Sequence, residues 1–166
     1  TYARDKDAVV ASMLVCEMAA YLKLQGKTIL DALDDLYSTY GYYLAHVQSI
    51  ELKGADAMEK AAMMMSSLRE SIPATIGGAK VTAVRDYRSS IANDLINNLE
   101  TAIELPKSNV LEFILGRRGS VIARPSGTEP KVKFYYTAVA ESKDTAQKLR
   151  TFWGRDRGCG HPGAYG

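Results

Sequence analysis

The C-terminal half of the chain contains three apolar segments of strand length that are separated by short connections. The segments cover residues 109–115, 120–123 and 131–139, and the compact turn at residues 116–119 joins the first two. Connections this short usually join neighbouring strands as hairpins, so we expect antiparallel pairing. Helical patterns elsewhere do not alternate regularly with strands. The sequence therefore predicts an α+β fold, a small antiparallel sheet with packed helices.

Two helices are predicted before the first strand. Apolar side chains lie almost all round a helix at residues 7–24, which is typical of a buried helix. This helix should end at Gln25 and Gly26, because glycine allows a left-handed cap. The second helix should begin after Thr28, whose hydroxyl can cap it, and should close at Gly41.

The middle of the chain gives further elements of both kinds. We expect a strand at residues 43–52, a helix between Asp56 and Pro73, a strand at residues 80–87 and a final helix from Ser142. The stretch at residues 88–107 has no clear pattern. The helix in this part has an apolar stripe that should face the core, namely Met58, Ala61, Ala62, Met65 and Leu68.

The charge balance limits the partners of the chain. A formal charge of +2, from 21 basic and 19 acidic residues, is too balanced for non-specific binding to nucleic acid or an anionic membrane. Ser12 and Glu17 interrupt the longest apolar stretch, so we expect no membrane span. Cys16 and Cys159 are far apart and suggest neither a disulfide framework nor a metal site. We therefore expect a cytoplasmic protein whose anion site, if any, is local.

The two ends of the chain do not resemble the ends of a complete domain. The start has neither an initiator methionine nor a secretory signal, which we interpret as an internal cut. Residues 154–166 contain five glycines and hardly any core-forming side chain. We interpret this tail as non-native, from a cloning scar or an altered reading frame, with a natural flexible tail as the alternative.

The connection between the last two strands, residues 124–130, has the composition of a phosphate-binding loop. A phosphate dianion is best held by a bidentate guanidinium, hydroxyl donors and backbone amides that converge in a turn. A glycine would provide the backbone geometry and allow close approach, and a lysine on the next strand would add charge. By composition alone, an ordinary turn remains the alternative. The candidate phosphate-binding residues are Arg124, Ser126, Gly127, Thr128 and Lys133.

A family resemblance strengthens this interpretation. Residues 124–135, Arg-Pro-Ser-Gly-Thr-Glu-Pro-Lys-Val-Lys-Phe-Tyr, closely resemble the signature of the last domain of the alpha-D-phosphohexomutases, the phosphoglucomutase and phosphomannomutase family. The resemblance continues in Leu-Pro-Lys-Ser-Asn-Val-Leu-Glu-Phe at residues 105–113. It extends to residues 4–9, 16–21, 26–28 and 40–43, and so covers nearly everything except the tail.

The resemblance implies a domain organisation and a site. Residues 1–40 would be the C-terminal helices of the third of four domains, and residues 41–153 the C-terminal phosphate-binding domain, with a sheet similar to that of TATA-binding protein. The loop would grip the phosphate that is not being transferred, through Arg124, Ser126, Gly127 and Thr128. Lys133 matches a position that is arginine in some relatives.

The resemblance also implies what the parent protein does. Family members are intramolecular phosphotransferases of the isomerase class, which interconvert hexose 1-phosphate and hexose 6-phosphate through a phosphoserine and a bisphosphate intermediate, with Mg²⁺ and a hexose bisphosphate activator as cofactors. The phosphoserine, the Mg²⁺ ligands and the sugar loop belong to the first three domains. We therefore expect no catalytic residue, no metal ligand and no activity in this fragment without the N-terminal domains. The loop sequence, Arg-Pro-Ser-Gly-Thr-Glu-Pro, resembles phosphoglucomutase relatives more than relatives with an Arg-Ala-Ser-Asn-Thr loop.

Other residues support weaker alternatives. The runner-up function is a non-catalytic anion- or nucleic-acid-binding module, with Arg117 and Arg118 at a hairpin tip beside the basic last strand. The sequence lacks the extended basic stripe with interleaved aromatic residues that a nucleic-acid-binding module usually has. His46 and His161 have no paired acid and nucleophile, so we interpret them as structural. The methionines at residues 63–65 are interpreted as core residues rather than a binding surface.

Overall fold

The computed structural model describes residues 6–148 of the chain. It divides into two compact units, of which the first ends at Gly41 and the second begins at Tyr42. The helices are α1 (Ala8–Leu24), α2 (Ile29–Tyr40) and α3 (Ala57–Glu70), and residues 143–148 are also helical. The strands are β1 (Tyr42–Glu51), β2 (Thr75–Ile76), β3 (Ala79–Lys80), β4 (Ala83–Asp86), β5 (Ile91–Asp94), β6 (Leu99–Ala102), β7 (Leu111–Ile114), β8 (Gly119–Pro125) and β9 (Lys131–Ala140).

The first unit is a helix pair with well-formed ends. The Asp7 carboxylate accepts a hydrogen bond from the Val10 N–H at 2.9 Å and caps α1. The helix ends at Gln25, followed by Gly26 with a φ of 70°. A reciprocal capping box between Thr28 and Asp31 begins α2. The predicted starts and ends of both helices are therefore confirmed.

The predicted burial of α1 is wrong in this unit. Leu22 is its only buried residue, whereas Val9, Met13 and Leu24 are 71%, 66% and 89% exposed. A helix that is apolar on all sides needs neighbours on several sides to be buried, and the described part of this unit, residues 6–41, contains one other helix. Within residues 6–148 no single helix is long and apolar enough to cross a membrane; α1 and α2 meet that criterion only as a pair bent by 88°.

The second unit is built on a seven-stranded antiparallel sheet. Its strand order is β1-β9-β8-β7-β4-β5-β6, and β2 and β3 form a separate hairpin. The predicted antiparallel arrangement of β7, β8 and β9 is confirmed, as is the α+β class. The hairpin of β5 and β6 occupies the stretch that had no clear pattern, and every residue of β6 is exposed. An exposed strand carries little of the alternation that reveals a strand in a sequence.

Helix α3 packs against one face of this sheet. The core combines α3 residues with alternate residues of the central strands. The buried members from β7, β8 and β9 are Leu111, Phe113, Val121, Ala123, Val132, Phe134, Tyr136 and Ala138. From α3, Met64 is buried together with the predicted Ala61, Met65 and Leu68, whereas the predicted Met58 is 51% exposed and Ala62 is exposed as well. Two of the three consecutive methionines are thus core residues, and Met63 is 61% exposed.

The residues between these core positions point to the opposite face, which we call the outer face. In β9 the outer face carries Lys131, Lys133 and Tyr135, which alternate with the buried positions. Arg124 of β8 lies opposite Lys133 and therefore shares this face. The alternation of β8 and β9 thus separates a buried apolar side from a side that carries positive charge.

Gly119, the first residue of β8, is required by the close approach of β9. Its φ of 124° and ψ of −148° fall in a region that is essentially restricted to glycine. A Cβ atom here would overlap the carbonyl oxygen of Thr137. Gly116, in the same turn, has a φ of 60°, but a Cβ atom there would meet only the Thr82 Cγ2 at 3.7 Å.

We expect Gly119→Ala to lower the free energy of unfolding by about 3 kcal/mol, because it combines a disallowed backbone conformation with a backbone overlap. Gly116→Ala is the matched control and should cost about 1 kcal/mol, the price of a left-handed alanine. Urea unfolding followed by circular dichroism measures both. Equal losses for the two variants would contradict the role of Gly119 in the β8–β9 contact.

Candidate phosphate-binding site

All five candidate residues lie at one end of the β8–β9 hairpin. Arg124 is the penultimate residue of β8, residues 126–130 form the connecting loop, and Lys133 is the third residue of β9. The Ser126 N–H donates to the Lys131 carbonyl at 2.9 Å and closes the base of the loop. The Leu52 N–H donates to the Pro130 carbonyl at 2.8 Å. Backbone hydrogen bonds therefore attach the loop to its own hairpin and to the end of β1.

Arg124 and Lys133 are directly opposite each other on neighbouring strands. Side chains at such positions have Cβ atoms about 4.5–5.5 Å apart, and like charges there are destabilising. Arg124 is exposed and Lys133 is half-buried. Neither side chain pairs with a carboxylate within residues 6–148. Two unpaired cations at a fixed spacing form an arrangement that a bound anion would stabilise.

Lys131 shares this face but is already paired. Its Nζ lies 2.6 Å from the Glu129 Oε2. This hydrogen bond is the main reason that the pKa of the Glu129 carboxyl is lowered from its ordinary value, and the charge of Lys133 contributes less. The Glu129 carboxylate therefore neutralises Lys131, and Arg124 and Lys133 remain as the available positive charges of the hairpin end.

The Ser126 side chain organises the loop amides. Its hydroxyl oxygen accepts hydrogen bonds from the Thr128 N–H at 3.5 Å and the Glu129 N–H at 3.3 Å. Both distances are long for a hydrogen bond, so these bonds are weak. Backbone N–H groups that converge on one oxygen form a small anion-binding nest. The hydroxyl of Ser126 retains its own hydrogen for donation.

Gly127 does not have the conformational role expected from the sequence. Its φ lies outside the left-handed region, and a Cβ atom there would meet nothing within 4 Å. The loop backbone would therefore accept another residue. Gly127 leaves the backbone uncovered and exposed to solvent, and its neighbour Thr128 is exposed as well. Close approach of a ligand is the part of the original expectation that this geometry supports.

One neighbour of the site was not found from the sequence. Ser49 of β1 is exposed and lies directly opposite Lys133. The outer face therefore carries a row of three side chains on adjacent strands, in the order Ser49, Lys133 and Arg124. No local pattern in the sequence shows that β1 pairs with β9, so the sequence carried no signal for Ser49.

Other polar features in the described part of the chain lie outside this site. No group of three or more histidine, cysteine, aspartate or glutamate side chains within residues 6–148 is placed to hold a metal ion. A cleft of about 480 Å³ lies between the end of β1 and α3. Its lining residues are Glu51, Leu52, Lys53, Lys60, Met63, Met64 and Ser67. His46 contacts the ring of Tyr136 at 6.1 Å between centroids.

Sequence comparisons relate the chain to one protein family. The family model described as "Phosphoglucomutase/phosphomannomutase, C-terminal domain" matches residues 69–152. The phosphoglucomutase of Staphylococcus haemolyticus (strain JCSC1435) is 40% identical over 134 residues, which cover 81% of this chain and 24% of that protein. The phosphoglucomutase of Staphylococcus aureus (strain bovine RF122 / ET3-1) is 39% identical over 149 residues, which cover 89% of this chain and 27% of that protein.

A solved structure shows the same fold. The exocytosis-sensitive phosphoprotein pp63/parafusin of Paramecium, described as a phosphoglucomutase in its open form, matches with a TM-score of 0.59 at 15% identity. The match covers 95% of this chain and 27% of that one. At this identity the likeness concerns the fold alone. The chain spans about a quarter of the length of the relatives that it matches.

We expect the Glu129 carboxyl to titrate below the ordinary glutamate range, because its charged form accepts a hydrogen bond from Lys131. Lys131→Met should raise the midpoint, and Lys133→Met should raise it less. Any contribution of this pair to stability is present above the ordinary glutamate pKa and is lost as the pH falls through the lowered one. Carbon-detected NMR titration of the carboxyl measures each midpoint. A larger effect of Lys133→Met would contradict the pairing.

Proposed function

Because this chain belongs to the phosphoglucomutase/phosphomannomutase family, we propose that its hairpin end binds the substrate phosphate that is not being transferred. The observation that carries this proposal is the pair of unpaired cations, Arg124 and Lys133, at opposite positions of β8 and β9. Their two charges match those of a phosphate dianion. Like charges at opposite positions weaken a sheet, and a bound anion would offset this cost in stability.

The two strands and the loop between them supply different kinds of donor. The planar Arg124 guanidinium binds two phosphate oxygens at once, whereas Lys133 adds a point charge from the neighbouring strand. The Thr128 and Glu129 amides, whose bonds to the Ser126 oxygen are long, exchange them for bonds to a third phosphate oxygen, and the hydroxyls of Ser126 and Thr128 are further donors. Bare backbone at Gly127 lets the phosphate approach these amides closely.

The parent protein, in this proposal, interconverts hexose 1-phosphate and hexose 6-phosphate through a phosphoserine and a hexose bisphosphate. After the first transfer the bisphosphate must turn round, so that its other phosphate faces the serine. A site that contacts only phosphate oxygens holds either end of the bisphosphate equally. The hairpin end meets this requirement because its candidate ligands are cations, hydroxyls and amides.

The catalytic groups belong, in this proposal, to upstream domains of the same parent chain. Residues 6–148 contain no carboxylate cluster suited to Mg²⁺, so we assign the magnesium site to the other domains. The exposed apolar residues of α1 and α2 support the existence of such neighbours. Val9, Met13 and Leu30 are 71%, 66% and 70% exposed. We propose that residues 1–40 complete the third domain, whose remainder covers these side chains.

Arg124→Ala should weaken the binding of inorganic phosphate and glucose 6-phosphate to the 166-residue chain about ten- to hundredfold, because it removes a bidentate, charge-assisted contact. Arg124→Lys keeps the positive charge but loses the bidentate geometry, so its phosphate affinity should lie between those of the wild-type chain and Arg124→Ala. Arg118→Ala is the matched control, since Arg118 is an exposed arginine near the other end of β8. NMR titration of backbone amides measures the affinities.

Two results of that titration would contradict the proposal. Equal weakening by Arg118→Ala would show a diffuse charge effect rather than a site. Preferential binding of an oligonucleotide, with an affinity that falls steeply with salt, would favour the nucleic-acid-binding alternative.

We expect no mutase turnover from the 166-residue chain, because the phosphoserine and the magnesium site lie in the proposed upstream domains. A coupled assay that converts glucose 1-phosphate to glucose 6-phosphate, with Mg²⁺ and glucose 1,6-bisphosphate present, tests this. A parent chain extended to the full length of the relatives is the positive control. If the short chain showed turnover, and Arg124→Ala abolished that turnover, the assignment of the catalytic groups to upstream domains would be overturned.

A further inference from the structure

The row across β1, β9 and β8 gives the phosphate site a third side chain. Lys133 occupies the middle of the row, with Arg124 on one side and Ser49 on the other. Neighbouring strands lie about 4.8 Å apart, so the row spans roughly 10 Å from Arg124 to Ser49. An anion bound over the central lysine therefore has a guanidinium on one flank and a hydroxyl on the other.

The position of Ser49 leaves its hydroxyl accessible. Within residues 6–148, β1 is an edge strand whose one sheet neighbour is β9, and Ser49 is exposed on it. No hydrogen bond to another described residue engages the Ser49 side chain. The next outer-face residue along β1, Glu51, lies opposite Lys131. A small hydroxyl thus faces the unpaired Lys133, while the acidic residue faces the lysine that is already paired.

We propose that Ser49 is a further phosphate-binding residue, whose hydroxyl donates a hydrogen bond to an oxygen of a phosphate held over Lys133 and beside Arg124. This inference rests on the proposed function of the same site. It adds a residue from outside the β8–β9 hairpin, so that binding phosphate also connects the edge strand to the loop. The Leu52 N–H bond to the Pro130 carbonyl already joins the same two segments at 2.8 Å.

Titration of the 166-residue chain with inorganic phosphate tests the role of Ser49. Ser49→Ala should weaken binding about three- to fivefold, the loss of one hydroxyl contact, and Ser49→Thr should stay within about twofold because it keeps the hydroxyl on a strand-favouring side chain. Ser66→Ala is the matched control, since Ser66 is an exposed serine on α3. In the wild-type chain, the Ser49 amide should shift on titration while the Ser66 amide should not.

The outcomes separate this inference from the proposed function. Weaker binding in Ser49→Ala with retention in Ser49→Thr supports the inference. Wild-type affinity in Ser49→Ala, while Arg124→Ala still loses binding, overturns it and leaves the proposed function intact. Wild-type affinity in both alanine variants overturns both. If Ser49→Ala fails to fold, an unshifted Ser49 amide in the phosphate-saturated wild-type chain is the result that overturns the inference.

Discussion

The antiparallel register between β8 and β9 is the constraint on which the candidate site depends. It brings Arg124 and Lys133 to opposite positions. The register is held by the other face, where Ala123 lies opposite Phe134 and both are at most 1% exposed. A slip of one residue would move every side chain of β9 to the wrong face. The apolar core therefore determines the spacing of the two cations.

This dependence explains how an unfavourable pair of charges can persist. Two cations at opposite positions cost a fraction of a kcal/mol to about 1 kcal/mol, whereas each large side chain of the core contributes about 1.5–3 kcal/mol through burial. Phe113, Phe134 and Leu111 are all almost fully buried. The hairpin can thus hold an arrangement that local electrostatics opposes, and an anion that binds there recovers the cost.

Much of this structure could be predicted from local sequence signals, whereas the pairing of strands that are distant in the chain could not. The helix cap at Thr28, the alternation of β9 and the loop after Arg124 were all visible in the sequence, because each depends on residues within a few positions. Ser49 was missed because its partner Lys133 is far along the chain. The predicted burial of α1 was wrong because an apolar helix needs neighbours on several sides, whereas the described part of the first unit gives α1 one neighbouring helix, α2.

The chemistry of the hairpin end also limits what it can distinguish. A sugar hydroxyl both donates and accepts hydrogen bonds, so a site that tells one hexose from another needs fixed acceptors as well as donors. The candidate site residues present cations, hydroxyls and amides, and the loop carboxylate, Glu129, is already engaged by Lys131. In the proposed function, such a surface would recognise phosphate oxygens and not the configuration of the sugar ring. Selection among hexoses would then fall to groups beyond this hairpin, and the same indifference would let one site hold either end of a bisphosphate.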